Sequence, residues 1–273
     1  MRRRLIAAML CVLLFCTACG VKEDRLRGEE RRTKITEAPT ASPTGTPKPT
    51  ELPATPTPTP LPETGIDAGR YGFTVEEVLN YYIEVGMSSE YANGNNIDFV
   101  RKWTSPIGVL VQGDPDEDDW AVINALFDAL NEVDGFPGIH VCSGSEDFQM
   151  IIRFLPRDRY QNYAQEAVGN ESTDGYSLIW FDGGVLTMAE IGIRKELERS
   201  NKNHVILEEI VQALGLQNDS YSYPDSLFYQ GYNEPQWPTD LDWLLVRFLY
   251  SEELKPFMKE DDVRRIAYEI IKE

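Results

Sequence analysis

From residue 70 onward, apolar positions recur along the chain in runs that switch between helix and strand periods. Thr74-Val75-Glu76-Glu77 places a carboxylate three residues after a hydroxyl, the pattern of a capping box, and predicts a helix to about Val85. Residues 97–111 alternate as a strand through Val100, Trp103, Ile107, Val109 and Val111. Trp120, Ile123, Leu126, Phe127 and Leu130 fall at helical spacing and predict a helix over 116–133. Ile139-His140-Val141 reads as a short strand, and residues 149–155 as a second, ended by Pro156. A short helix or ordered loop covers 158–168. Asp182-Gly183-Gly184 reads as a turn, and a strand follows over 184–194 with Val185, Thr187, Ala189, Ile191 and Ile193 on one face. A central helix spans about 202–214, then an irregular stretch runs to Pro238. A second capping box, Thr239-Asp240-Leu241-Asp242, opens a helix with Leu241, Leu244, Leu245, Phe248 and Leu249 as its apolar stripe. Residues 261–271 form the last helix, with Val263, Ile266, Ala267 and Ile270 inward. The sum is one α/β (α+β) domain over 70–273, a mixed twisted sheet packed with helices, without internal repeat or second linker.

Ahead of residue 70 this patterning is lost. Arg2, Arg3 and Arg4 precede an apolar run from Leu5 to Phe15, too short to span a bilayer and suited to a signal-peptide core. Thr17, Ala18, Cys19 and Gly20 follow and resemble a bacterial lipobox, with Cys16 where Leu is usual. This predicts a signal peptide over 1–18 and lipidation of Cys19; ordinary secretory cleavage nearby is the alternative. Residues 19–69 form a tether, charged at first and then Pro/Thr-rich. Such composition favours extended polyproline II, about 3.1 Å per residue, so thirty residues reach on the order of 90 Å. The expectation is a lipoprotein on the extracytoplasmic face of the cell membrane, in a Gram-positive-type envelope. Leu61-Pro62-Glu63-Thr64-Gly65 matches a sortase signal, but it stands before the folded domain and reads as a product of the Pro/Thr repetition.

The formal net charge of −19 argues against nucleic-acid binding and against docking on an anionic bilayer through a charged face. Of four cysteines, Cys11 and Cys16 fall in the signal peptide and Cys19 carries lipid. Cys142 alone remains, so the mature domain forms no internal disulfide, and Cys142 is expected as a small buried hydrophobe.

The central helix carries Glu208-Glu209-Ile210-Val211-Gln212-Ala213-Leu214-Gly215-Leu216-Gln217-Asn218. This stretch keeps the spacing of the zinc-protease pattern H-E-x-x-H-x-x-G-x-x-H without its imidazoles. Glu208, Gln212 and Asn218 stand at the ligand positions, Glu209 at the catalytic glutamate and Gly215 at the glycine. Glu208, Gln212 and Gly215 share one helix face, while Val205, Leu207, Ile210, Val211 and Leu214 supply apolar area. Gly215 is placed to end the helix in a left-handed conformation. Downstream, Tyr223-Pro224-Asp225-Ser226-Leu227-Phe228-Tyr229 resembles the Met-turn of metzincins, with Phe228 in the Met position. Residues Thr239 to Tyr250 resemble the matrixin C-terminal helix. The chain also resembles domain-of-unknown-function family 2927, through Ser89-Glu90-Tyr91, Arg101-Lys102-Trp103, residues 208–216, Asn218-Asp219-Ser220 and Leu249-Tyr250. That resemblance implies a zincin-like (metzincin-like) fold in secreted or lipid-anchored proteins and no established activity.

A catalytic zinc takes three protein ligands plus a water, and imidazole or thiolate suits it better than an amide oxygen. The chain has two histidines, His140 and His204, so a three-His site is impossible. His204 lies one turn before Glu208 and is expected as a hydrated residue of the first helical turn. Glu208, Glu209, Gln212 and Asn218 offer oxygens suited to a hard cation such as calcium; a polar network joining Gln212 and Asn218 is the favoured expectation. No metal and no cofactor are expected. Two functions follow. The first is a non-catalytic module whose cleft binds an envelope protein or glycan, flanked by Tyr221, Tyr223, Phe228, Tyr229, Tyr232 and Trp237. The second is a divergent hydrolase or peptidase using Glu209 with a non-standard metal site.

Overall fold

The computed structural model describes residues 66–88, 98–144, 147–170 and 172–273. The lipidation site Cys19, the signal peptide, the tether up to residue 65, the Leu61–Gly65 pentapeptide, Ser89-Glu90-Tyr91 and Ile97 lie outside the described residues.

Helix starts follow local chemistry. A short strand β1 (Ile66–Asp67) leads into α1 (Val75–Gly86). There the Thr74 hydroxyl accepts the Glu77 N–H at 3.2 Å and the Glu77 carboxylate accepts the Thr74 N–H at 2.8 Å. After strand β2 (Ile107–Gln112), helix α2 (Glu117–Asn131) starts with the same reciprocal pair between Asp116 and Asp119. Strands β3 (Ile139–Val141) and β4 (Met150–Leu155) precede helix α3 (Arg157–Val168). The hairpin β5 (Gly175–Asp182) and β6 (Val185–Arg194) leads to the central helix α4 (Arg199–Gln212). Helix α5 (Asp240–Tyr250) is capped by Thr239 and Asp242, and α6 (Glu260–Ile270) ends in strand β7 (Ile271–Lys272).

The main sheet runs β3-β2-β4-β6-β5. The first four strands are parallel, and β5 is an antiparallel outer strand. Its inner face, with Val109, Ile152, Phe154, Ala189, Ile191 and Ile193, packs with α1, α2, α4, α5 and α6 in one core. The opposite face carries a small second cluster in which Tyr160 and Ala164 of α3 meet Leu155 and Tyr176. Beside this sheet, β1 and β7 pair in parallel and hold residue 66 against the end of the chain.

Three expectations change, and one strand, β5, carries none. The strand expected over 97–111 is confined to β2. Residues 100–103 are buried without alternation, because this segment threads the core and makes isolated bridges through Phe99 and Lys102. Strand β5 has no period-two signal, since Leu178 and Ile179 pack on opposite faces of the sheet. In β6 the inward face is Ala189, Ile191 and Ile193 but then Leu186, with Thr187 exposed. A bulge opposite Trp180/Phe181 inserts the extra residue and switches faces. Finally α5, expected as a striped helix, is buried at every position from Leu241 to Tyr250, as a helix enclosed by others.

Candidate functional site

Helix α4 is fixed at both ends. At its start, Lys202 Nζ lies 2.9 Å from Asp119 Oδ1 and 3.1 Å from Asp116 Oδ2, and Arg199 reaches the same carboxylates at 2.7 and 2.5 Å. Asp119 and Lys202 are buried, so this network holds α4 against the first turn of α2. Asp116 is desolvated there, yet hydrogen bonds from the Asp119 N–H, Lys202 and Arg199 hold its carboxyl well below the usual range. At the other end Gly215 takes φ +121°, and a β-carbon there would stand 2.2 Å from the Arg101 carbonyl oxygen. The chain can reverse beneath α1 only because that side chain is missing. Trp103 Nε1 donates to the Ala213 carbonyl and the Tyr250 hydroxyl to the Leu214 carbonyl, satisfying the last turn.

Between these ends α4 floors a cleft of about 260 Å³. His204, Glu208, Glu209 and Gln212 line it from the helix, Thr173 to Gly175 from the start of β5, and Tyr229 to Asn233 from the loop that follows. Glu209 is buried and packs directly on the outer strand. A β-carbon on Gly175 would meet Glu209 Oε1 at 2.4 Å and Val205 Cγ1 at 2.5 Å. Gln212 is held at both ends of its amide. Its oxygen accepts from Ser177 Oγ at 3.1 Å and its nitrogen donates to Asp219 Oδ1 at 2.9 Å. Asn218 points elsewhere: its amide donates to the carbonyls of Glu84 and Asp219, and its N–H to the Val85 carbonyl. The turn after Gly215 therefore returns Asp219, not Asn218, to the cleft.

His204 is buried rather than hydrated. The helix starts at Arg199, earlier than its apolar pattern suggests, so His204 falls in the second turn. Burial pushes its pKa down to about 4, against the Glu234 carboxylate and the Pro235 carbonyl, which favour the charged form. At neutral pH the ring is uncharged, and its Nε2 lies 3.4 Å from Glu208 Oε2. Asp174 accepts from Asn201 Nδ2 at 2.7 Å and pairs with Arg194 at 2.8 Å. Cys142 is partly exposed rather than buried, with Sγ 3.7 Å from the Asp147 carbonyl oxygen, because it follows the outer strand β3. Among the described residues no three His, Cys, Asp or Glu side chains converge as a metal-ligand set.

The loop beneath the cleft is strapped to the core. Tyr81 donates to Ser226 Oγ at 2.6 Å, Ser226 donates to Asp242 Oδ1 at 2.6 Å, and the Leu227 N–H donates to Asp242 Oδ2 at 3.2 Å. Asp242 is fully buried, and desolvation raises its pKa although the hydrogen bonds from Ser226, Thr239 and Leu227 oppose it. Phe228 is core, Tyr223 packs edge-on against Tyr81, and Trp237 lies tilted against Trp243. Only Tyr221, Tyr229 and Tyr232 of the flanking aromatics accompany the cleft: Tyr229 and Tyr232 line it, and Tyr221 packs against Tyr229. Tyr221 and Tyr232 are 72% and 86% exposed, which leaves their rings open to a ligand.

Sequence spacing found Glu208, Glu209 and Gln212. It did not single out Asp174, Gly175, Ser177, Asn201 or Asn233, which come from segments without motif, and it marked Asp219 only within the Asn218-Asp219-Ser220 resemblance, without a place in the cleft.

A family model described as "Protein of unknown function (DUF2927)" matches residues 75–269. No curated protein matches the chain.

Proposed function

The chain belongs to the DUF2927 family of proteins of unknown function, and from that premise we propose that it is a non-catalytic, metzincin-like binding module. It is carried on a lipid at Cys19 and a Pro/Thr tether outside the cell membrane, and its α4 cleft takes an envelope protein or glycan. The metzincin-like reading is supported by the antiparallel outer strand beside a helix that carries the spaced motif, and by the glycine-dependent turn that ends it. The observation that carries the non-catalytic reading is the state of Gln212. An amide holding Ser177 and Asp219 at its two ends is a structural brace, and amide oxygen is a poor zinc ligand in place of imidazole. Glu209, packed against the Gly175 backbone, lies beside no converged ligand set among the described residues that would give it a metal-bound water to activate.

What the cleft offers instead is recognition chemistry. Carboxylates and amides (Asp174, Asn201, Gln230, Asn233) stand beside open tyrosine rings, a combination that hydrogen-bonds hydroxyls or peptide groups and stacks on apolar faces.

Elemental analysis of protein purified without chelator, with melting curves in EDTA and a peptide-cleavage assay, tests this reading. Substoichiometric zinc, an unchanged melting temperature and no cleavage are expected. Glu209→Ala alters stability by about 1–3 kcal/mol at most. One zinc per chain, or a chelator-sensitive cleavage lost in Glu209→Ala, would overturn it in favour of the hydrolase.

A further inference from the structure

A second crevice lies at the carboxyl ends of the parallel strands, on another part of the molecule. Strand β2 leads through α2 to β3 on one side of the sheet, and β4 leads through α3 to β5 on the other. The two helices also leave on opposite faces, α2 into the main core and α3 into the small cluster behind the sheet. The gap between the ends of β2 and β4 is therefore a topological switch point, where open parallel sheets leave a crevice suited to ligands.

That gap is a pocket of about 340 Å³. Gln112, Gly113 and Asp114 wall it at the end of β2, and Phe154, Leu155 and Pro156 at the end of β4. Gly113, at φ +89°, lets the turn close on the Phe154 carbonyl, 1.9 Å from where its β-carbon would be. Arg153, Arg159 and Lys195 converge on this space, with Tyr163 at its mouth. Three cations in one crevice stand out in a chain of net charge −19. Arg153 is oriented by Gln112 Oε1 at 2.5 Å and lies 3.8 Å from Glu190. Neither Arg159 nor Lys195 has a carboxylate partner among the described residues. The first turn of α3 opens here with Pro156 as its cap, which offers no side chain to the free N–H groups. Glu190 beside Arg153, Asp114 in the lining and Asp158 in that first turn are the opposing charges among the described residues; both aspartates are exposed.

We propose that this crevice binds a phosphate group carried on a small polyol or sugar. Arginine forks and a lysine point charge match the phosphate oxygens, the helix N-terminus adds N–H donors, and Tyr163 supplies a face for the carrier. The inference stands independently of the α4 cleft.

Calorimetric titration of the full chain with inorganic phosphate, glycerol 3-phosphate and acetate at matched ionic strength tests it. Saturable one-to-one binding of both phosphates is expected, tighter for the glycerol ester, with acetate at least about tenfold weaker. Arg159→Gln and Lys195→Gln should each weaken phosphate binding about five- to tenfold, the loss of one charge-assisted contact. Arg265→Gln on α6 should leave it unchanged. Equal melting temperatures without ligand show that the variants fold, and Lys195→Gln serves alone if Arg159→Gln does not. No saturable binding up to about 20 mM phosphate, equal affinity in Arg265→Gln and Arg159→Gln, or acetate binding as tightly as phosphate would overturn the proposal.

Discussion

At Gly215 a single missing β-carbon decides whether α4 can end where it does. The φ of +121° already disfavours any other residue, and the Arg101 carbonyl 2.2 Å from the absent atom leaves no room to relax. Gly215→Val should cost at least about 3 kcal/mol, since it combines left-handed strain with a backbone overlap; chemical denaturation measures this, and a loss below about 1 kcal/mol would show that the turn has another conformation. This residue was legible in the sequence because its role is local: a helix-ending glycine is visible from its own neighbours. The roles of Asp219 and Gly175 were not, although Asp219 falls in a stretch that resembles the family, because those roles lie in side-chain contacts the spacing does not show. Asp219 matters through Gln212, seven residues back, and Gly175 through Glu209 on a different element. Asn218 shows the converse. Its spacing fits the ligand pattern, yet the backbone turn sends its side chain to the end of α1.

Elements were legible where their ends are set by short-range hydrogen bonds. Thr74 and Thr239 cap α1 and α5 as their sequences indicate. Strand β5 and the bulge in β6 were hidden because an outer strand with apolar residues on both faces has no clean period, and a bulge breaks the one that exists. The start of α4 was hidden for a different reason: its first turn is polar and is stabilised by ion pairs with α2 rather than by apolar packing. The Asp119–Lys202 pair is buried, at 2.9 Å, so removing one partner strands a charge. Lys202→Met should destabilise the domain by about 3–5 kcal/mol, whereas Asp119→Leu combined with Lys202→Met should recover a large part of that loss. Urea titrations of the two variants measure the difference. A single variant within about 1 kcal/mol of the parent would mean that Arg199 alone holds α2 to α4.

For the whole molecule, the proposed placement at the membrane rests on the first residues of the chain rather than on the folded domain. No helix among the described residues is long and apolar enough to cross a bilayer. The apolar run from Leu5 to Phe15, about eleven residues, would span only about 16 Å as a helix, roughly half of the hydrocarbon thickness. The net charge of −19 opposes attraction to an anionic surface, and a Pro/Thr tether has no apolar face to insert. On the proposed reading, acylation of Cys19 supplies the anchoring strength, each buried CH₂ contributing about 0.8 kcal/mol. Cys19→Ser removes the proposed acceptor while leaving the proposed export signal, residues 1–18, in place, and the protein should move from the membrane pellet to the medium. Fractionation followed by mass determination of the N-terminus checks both halves of the argument. Quantitative retention of Cys19→Ser in the pellet with residues 1–18 still attached would show that the short apolar run itself holds the chain, and that lipid is not the anchor.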